Sequence, residues 1–468
     1  MILPPVEIEI PGGLSVQDYL NELVSFVHKY EHLIEMHVVN FMTFDYWGKL
    51  DPEWQKALLP RDGQDNDSWM AMLLHLAAEY ACPEDAPESM QEFVRTLKFL
   101  SLNRQPSASS RDYKCNVGKV LRHGMTVKKI HEVERMSFLV KETAARSNVS
   151  SVMDLGAGQG YLSRTAAFLH GLNVLAVDSN EIQTCGAKKF DKHTLKGLAN
   201  ALQGENGKVN SNKNGKIHHV TDTVTPENVS QILNMWSHRR DEQWLVCGLH
   251  ACGDLTSLML RLFIQSDKMA SLVNVGCCYN FLSEQNGFPM SFHVKSELQF
   301  RLSPTARMLA CQSPARWVDR KEETVASLEH HYFRALLQYI MVEKGLADRL
   351  NAPVLGRFNK KKDFDSFPVY VKKALKRLKI PEDSISPEEA EEYYQKFKDA
   401  QVDKQITALW TLRVLFAPIL ESIVLVDRYL YIKESLAHLP PSSTKGVWLY
   451  PLFDPVISPR NIVVVASK

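Results

Sequence analysis

The chain has 468 residues, with 55 Lys+Arg against 54 Asp+Glu, 45% hydrophobic and 23% charged residues, and 8 cysteines. That length is about three domains' worth of chain at roughly 150 residues each, and the near-average composition excludes a mainly disordered, collagenous or coiled-coil protein. A net charge of +1 excludes a whole-molecule electrostatic grip on nucleic acid, which would have to come from local patches, and cysteine is too sparse for a disulfide scaffold.

Residues 1–13 (MILPPVEIEIPGG) have no basic start and no long apolar run, so an intracellular chain with reduced thiols, cytoplasmic or nuclear, is expected. Apolar positions recur at helical spacing over Val16–Met36 and Trp69–Tyr80, which predicts a helical N-terminal region over 1–110 ending in a linker at Gln105–Ser110. From about Ser150 the pattern changes. Short apolar runs at Val152–Leu155, Val174–Val177, Trp244–Leu249 and Leu272–Val275 alternate with helical segments, as βαβ units of a parallel sheet do. A core over 111–324 follows, with the Gly-, Asn- and Lys-rich Lys196–Lys216 as a flexible insertion. A helical insertion is expected over 325–439. The β-rich runs Val447–Phe453 and Asn461–Ser467, joined by the turn Asp454–Pro459, predict a hairpin over 440–468 that completes the sheet. Within the insertion, Ile406–Ile432 could be drawn as a membrane span. Arg413, Pro418 and Glu421 lie in its middle, and a charge there costs about 2.5–3.5 kcal/mol, so a buried helix is predicted, with membrane association as the alternative.

The strongest chemical signal is Val152–Leu162 (VMDLGAGQGYL): a buried strand ends, Gly156, Gly158 and Gly160 follow at alternate positions, and a helix begins. Such glycines let backbone approach a ligand at a helix N-terminus. The spacing is G-x-G-x-G and not the dinucleotide pattern G-x-G-x-x-G. Asp154 at the strand end would repel a pyrophosphate but suits the sulfonium and ammonium of S-adenosylmethionine. Asp178, ending the next strand, is placed to accept ribose hydroxyls, and Asp222, after a third strand, to reach the adenine amino group. In this order the signals favour S-adenosylmethionine over a dinucleotide or a purely structural turn.

The runs Asp154–Gly160, Gly248–Asp254 (GLHACGD), Gly276–Tyr279 (GCCY), Met125–Val133 (MTVKKIHEV) and Leu452–Asn461 (LFDPVISPRN) together resemble the methyltransferase-like protein 25 family, most nearly its 25B branch, also described as rRNA adenine dimethylase domain-containing. A more distant similarity is to tRNA ribose methyltransferases with an H-L-C-G-x-x-T-D block. The resemblance spans most of the chain. It implies an α/β fold with a class I Rossmann-like methyltransferase sheet, and a cofactor set of Lys128, His131, Asp154, Gly156, Gly158, Gln159, Gly160, Asp178, Asp222, His250 and Ala251. Lys128, Lys129, His131 and Glu132 either close over the cofactor or form a solvated helix start.

His250–Asp254 and Cys277–Asn280 follow adjacent strands, beyond whose carboxyl ends ligands of open α/β sheets sit. His250 is the expected base, Asp254 the expected orienting group or a helix cap, and Tyr279 the expected lining of an acceptor slot. The [D/N]-P-P-[Y/F] block of exocyclic-amine methyltransferases is missing, which weakens the adenine dimethylase label. Of a ribose-methylating Lys-Asp-Lys-Glu tetrad, Lys128 or Lys129 and Asp254 could fill two places. His250, Cys252, Cys277 and Cys278 form a chemically sound zinc set, but without a C-x-x-C pair and with two adjacent cysteines the expectation is no metal.

Arg349–Lys379 holds ten basic residues against Asp363 and Asp365, and Glu382–Glu392 follows with six acids. The basic segment could hold RNA phosphates, with Phe358, Phe364 and Tyr370 stacking on bases, or could pair with the acidic stretch; nothing points to DNA. The reading is a methyltransferase acting on RNA. The alternatives are a catalytically inactive S-adenosylmethionine-binding scaffold and a protein or small-molecule methyltransferase.

Overall fold

The computed structural model describes residues 4, 6–107, 114–204, 215–237, 241–356, 358–359, 362–440 and 445–468, with the side chains of 201–204 left aside. Seven strands form one sheet: β1 (Ser151–Leu155), β2 (Asn173–Asp178), β3 (Ile217–Thr221), β4 (Trp244–Cys252), β5 (Met269–Cys277), β6 (Gly446–Pro451) and β7 (Ile462–Ser467). Their order is β3-β2-β1-β4-β5-β7-β6. The first five run parallel, and the terminal hairpin joins them with β7 antiparallel to β5. This is the expected α/β Rossmann-like methyltransferase sheet. Parallel strands covered by helices are buried on both faces, which is why β1, β4 and β5 carry the apolar runs Val152–Met153, Trp244–Cys247 and Leu272–Val273 without polar alternation. Met136, Leu139 and Val140 of helix Val127–Arg146, Leu162 and Ala166 of helix Tyr161–Phe168, and Val152, Val174, Leu245, Val273 and Val465 of the strands make one core cluster. Each of these Val, Leu and Met side chains contributes roughly 1.5–3 kcal/mol on burial. The strand order turns back between β1 and β4, so a crevice opens at their carboxyl ends.

The chain divides into two compact units. One holds residues 1–24, 101–311 and 420–468, including the sheet; the other holds 25–100 and 312–419. The N-terminal helices after Val24 and the helices from Gln312 to Ile419, far apart in sequence, therefore share the second unit. Its core includes the rings of Phe26, Tyr30, Phe93 and Phe416, with Phe93 and Phe416 centroids 5.4 Å apart. Helix Glu181–Gly204 occupies the first half of the stretch expected as a flexible insertion; residues 205–214 lie outside the described residues, as do 108–110 of the expected linker.

Val402–Ala437, comprising helices Val402–Val414 and Ala417–Ala437, is the one segment among the described residues long and apolar enough to cross a membrane; 89% of its most apolar window is buried inside the fold. Two of its buried charges, Arg413 and Glu421, have internal partners. Arg413 donates to the Ile34 carbonyl at 2.9 Å, and Glu421 accepts from Arg104 at 2.7 Å, Arg460 at 2.6 Å and the Tyr279 hydroxyl at 2.7 Å.

The basic segment differs from expectation in its aromatics. Phe358 and Tyr370 are 6% and 0% exposed, and Phe364 stacks on Tyr370 with centroids 5.0 Å apart, so these rings pack the second unit and do not offer open faces. Only Lys372 of this segment forms a direct ion pair with the acidic stretch among the described residues, to Glu382 at 3.5 Å; Lys373 and Arg377 turn to Asp363 inside the segment. Lys362, Lys376 and Lys379 are exposed, and Arg357, Lys360 and Lys361 lie outside the described residues.

Candidate functional site

The turn after β1 is possible only because of its glycines. Gly156, Gly158 and Gly160 have φ of +73°, +55° and +70°, a region that side chains with a Cβ avoid. A Cβ on Gly156 would lie 2.9 Å from Leu255 Cδ2, so this glycine is needed for packing as well. A Cβ on Gly158 would meet nothing within 4 Å: the middle of the turn borders open space, where backbone can approach a ligand.

Below the turn, Arg164 is 1% exposed and donates from Nη2 to the Gln159 carbonyl and from Nε to Asp191, both at 2.9 Å. Asp191 also bonds His219 Nε2 of β3, so a buried Arg–Asp–His chain fixes the turn from beneath. From the side, Asp178 at the end of β2 accepts from the Gly158 amide with Oδ2 and from the Asn180 amide with Oδ1, both at 2.9 Å. Gln159 Nε2 donates to Gln183 at 2.6 Å.

Asp154 departs from expectation. It is 2% exposed and accepts from Ser163 Oγ, so it lies under the turn and not at its open face. Burial pushes its carboxyl up to about 6, against the opposing pull of the Ser163 hydrogen bond. Asp222 is exposed and accepts from the Thr223 amide at 2.7 Å. His131 Nε2 accepts from the Asp454 amide at 3.0 Å, which ties its helix to the turn before β7. The apolar packing around it, including Phe453, explains why its imidazole is held below the usual range.

Across the crevice, β4 carries a bulge. Leu249 pairs with Val275 and Ala251 with Gly276, leaving His250 unpaired between them at φ +67°. Such strain in a non-glycine residue persists where the surroundings impose it, commonly at functional sites. The bulge aims the His250 ring at helix Val127–Arg146, where Nε2 lies 2.9 Å from Glu132 Oε2. Glu132 is 0% exposed, and also meets Lys129 Nζ at 2.9 Å, Lys128 Nζ at 3.6 Å and Ser458 Oγ at 2.7 Å. Burial alone would raise its carboxyl, but His250, Lys129 and Ser458 more than offset that and hold it far below the carboxylate range. An ionised carboxylate only accepts hydrogen bonds, so His250 Nε2 carries the donated proton and a neutral ring keeps Nδ1 for accepting one.

A family model described as a methyltransferase domain matches residues 128–285, the stretch that contains the glycine turn, the bulge and Glu132. Probable methyltransferase-like protein 25 of Homo sapiens is 24% identical, with 99% of this chain and 98% of that protein covered. Its Mus musculus counterpart is 26% identical, with 98% and 97% covered. Over nearly its whole length the chain is similar to the methyltransferase-like protein 25 family. Both relatives support the family and not the narrower 25B branch. Among solved structures, the plantazolicin methyltransferase BamL, in complex with a triazolic desmethylPZN analog and SAH, is 17% identical over 34% of this chain and 50% of its own, at a TM-score of 0.20.

The cofactor is S-adenosylmethionine, and the residues fit it: a glycine turn open at Gly158, with the Asp178 carboxylate beside it at the end of β2. The other expected residues are placed unequally. Ala251 is buried beside the bulge. Asp254 opens helix Asp254–Gln265 and accepts from the Ser283 amide at 2.8 Å, bracing the segment after β5. Tyr279, expected to line an acceptor slot, is 1% exposed with its hydroxyl on Glu421; burial pushes its phenol well up, so it neither faces substrate nor serves as a base. The partnership of Glu132 and Ser458 with His250 was not read from sequence. A signal existed: Glu132 interrupts the inward apolar positions Val133, Met136 and Val140 and stands three and four residues after Lys129 and Lys128.

Proposed function

We propose that the chain methylates RNA, using the crevice at the ends of β1 and β4 for S-adenosylmethionine and the basic segment 349–379 for the acceptor's phosphates. The cofactor supplies a methyl group on sulfonium, open to in-line displacement. The chain's own part is to seat it on the Gly156–Gly160 turn and to prepare the acceptor. His250 is the base, with Nδ1 taking a proton from the acceptor and Glu132 fixing the ring through Nε2 and stabilising the imidazolium that results. The observation that carries this reading is the pairing of buried Glu132 with the partly exposed His250, delivered by a strained bulge at the crevice. Positioned bases of this kind contribute about 10²–10⁴ in rate. RNA is favoured over protein by the exposed Lys362, Lys376 and Lys379 in a segment with an excess of positive charge.

The test incubates full-length protein and methyl-labelled S-adenosylmethionine with RNA and protein fractions from cells lacking it. Label in RNA, lost in His250→Ala, is expected. Label in protein alone overturns the acceptor, and no label in either, with cofactor bound, favours a non-catalytic scaffold.

A further inference from the structure

At the ends of β4 and β5 three thiols converge. Cys252 Sγ lies 3.1 Å from Cys277 Sγ and 3.3 Å from Cys278 Sγ, and the latter two are 3.5 Å apart. Adjacency of Cys277 and Cys278 weighs against a shared ligand, because successive side chains on a strand point to opposite faces. The backbone removes that objection. Cys278 has φ +53°, just past the end of β5, and this left-handed turn brings its side chain round to the side of Cys277. The two strand ends are also locked together: the Gly253 amide donates to the Cys277 carbonyl at 3.2 Å, and a Cβ on Gly253 would lie 2.7 Å from the Phe281 carbonyl oxygen. Cys277 is buried, Cys278 half-buried and Cys252 exposed, so the cluster is closed on one side and open on the other.

A second observation comes from the closed side. Arg428 is 1% exposed, yet none of its three guanidinium nitrogens has a hydrogen-bond partner among the described residues. It lies against the cluster: Nη1 is 2.6 Å from where a Cβ on Gly276 would sit, and the guanidinium stands 5.6 Å from the Tyr279 ring centroid. The Asp427 and Glu421 carboxylates attract it across space, but their hydrogen bonds go to Met290 and Ser291 and to Arg104, Arg460 and Tyr279. A buried cation in this condition is costly unless negative charge accompanies it. Three thiolates around a divalent cation carry a net charge of −1 and would supply it.

We propose that Cys252, Cys277 and Cys278 bind one Zn²⁺ as thiolates, with a fourth position open on the exposed side of Cys252. Three S–H bonds are replaced by three Zn–S bonds and the protons leave to solvent, with no change of oxidation state. Zn–S bonds of about 2.3 Å set tetrahedral thiolates about 3.8 Å apart, so the triangle must widen by about half an ångström, within reach of side-chain rotation.

The test uses the full chain, purified reduced and free of chelator. Elemental analysis should find about one zinc per chain. Titrating the zinc-stripped protein with Co²⁺ should give the thiolate-to-metal charge-transfer absorption at one equivalent. Cys252→Ser and Cys278→Ser should each lower zinc retention at least tenfold while Cys185→Ser leaves it unchanged. Because Cys277→Ser disturbs a buried position, the wild-type Co²⁺ spectrum stands as a readout that needs no variant. Folded wild-type protein that retains no zinc and gives no such absorption overturns the proposal. So does retention of copper in place of zinc, or a Cys252–Cys277 disulfide in protein isolated with thiols trapped.

Discussion

At the ends of β1 and β2 the site is made of backbone, three glycines in left-handed conformation held from below by Arg164 and from the side by Asp178. At the ends of β4 and β5 it is made of side chains, His250 on Glu132 and a triangle of thiols, delivered by a bulge and a left-handed turn. The first region can form only with particular residues at particular spacings. The second depends on partners 118 residues apart in the case of His250 and Glu132. A ligand seat specified by backbone conformation should therefore fail all at once when that conformation is denied. A chemical centre built from side chains should lose turnover and keep binding.

The largest expected effect tests the first half of that contrast. Gly156→Val places a branched side chain at φ +73° and against Leu255. Affinity for S-adenosylmethionine, by calorimetry, should fall at least 100-fold, or about 2.8 kcal/mol. Gly158→Ala meets no atom and bears only the cost of a left-handed residue, about 1–2 kcal/mol. Its thermal stability should therefore fall less than that of Gly156→Val. Wild-type affinity in folded Gly156→Val would mean that the turn is not the seat.

Next in size is the side-chain half. His250→Ala and Glu132→Gln should each lower methyl incorporation by about 10²–10⁴ while S-adenosylmethionine affinity changes less than about threefold. Glu132→Gln keeps the shape but removes the charge, so a loss of turnover close to that of His250→Ala would identify the carboxylate as the partner that orients and stabilises the ring. Equal losses of affinity and turnover would instead make the pair part of the cofactor's seat and erase the contrast.

The legibility of the molecule divides along the same line. The strand runs, the glycine turn and the closing hairpin could be read because each is local: periodicity and turn residues record them within a dozen positions. Tyr279 was misplaced, and the second partner of His131 was not legible, because sequence says which strand or helix end a residue occupies and not which way it turns there. Tyr279 follows the left-handed Cys278 and goes inward to Glu421, and His131 is claimed by a turn more than 300 residues later. Glu132 was visible as a charge on an apolar face, but its partner lay on a bulge that periodicity does not announce. The aromatics of the basic segment misled for the opposite reason: rings beside lysines suit RNA and a small core equally, and Phe358 and Tyr370 are core.

Asp154 offers a finer probe, since it belongs to the backbone half yet titrates. Its carboxyl is raised from 3.8 to about 6 by burial, so the folded protein holds this proton more tightly than the unfolded chain. The stability it contributes is complete below about pH 4 and is lost as pH rises through about 6, on the order of 3 kcal/mol in all. Denaturant unfolding of wild type and Asp154→Asn should show the wild type losing ground to the variant between about pH 4.5 and 7. Parallel curves would mean that Asp154 reaches solvent or a cation and sits at the open face after all.

The smallest effect concerns the acceptor, where the case rests on charge and not on geometry. Lys376→Glu with Lys379→Glu reverses two exposed charges on or just after helix Phe367–Leu378. Neither lysine has an ion-pair partner among the described residues, so stability should hardly move. If these lysines meet RNA phosphates, affinity for single-stranded RNA should drop several-fold at low salt, and the slope of log affinity against log salt should flatten by about 0.7 for each phosphate no longer neutralised. S-adenosylmethionine affinity should stay at the wild-type value, because the substitution touches neither half of the crevice. An unchanged salt slope would remove the basic segment from the acceptor's path and leave the crevice chemistry standing, to be matched to a protein or small-molecule acceptor.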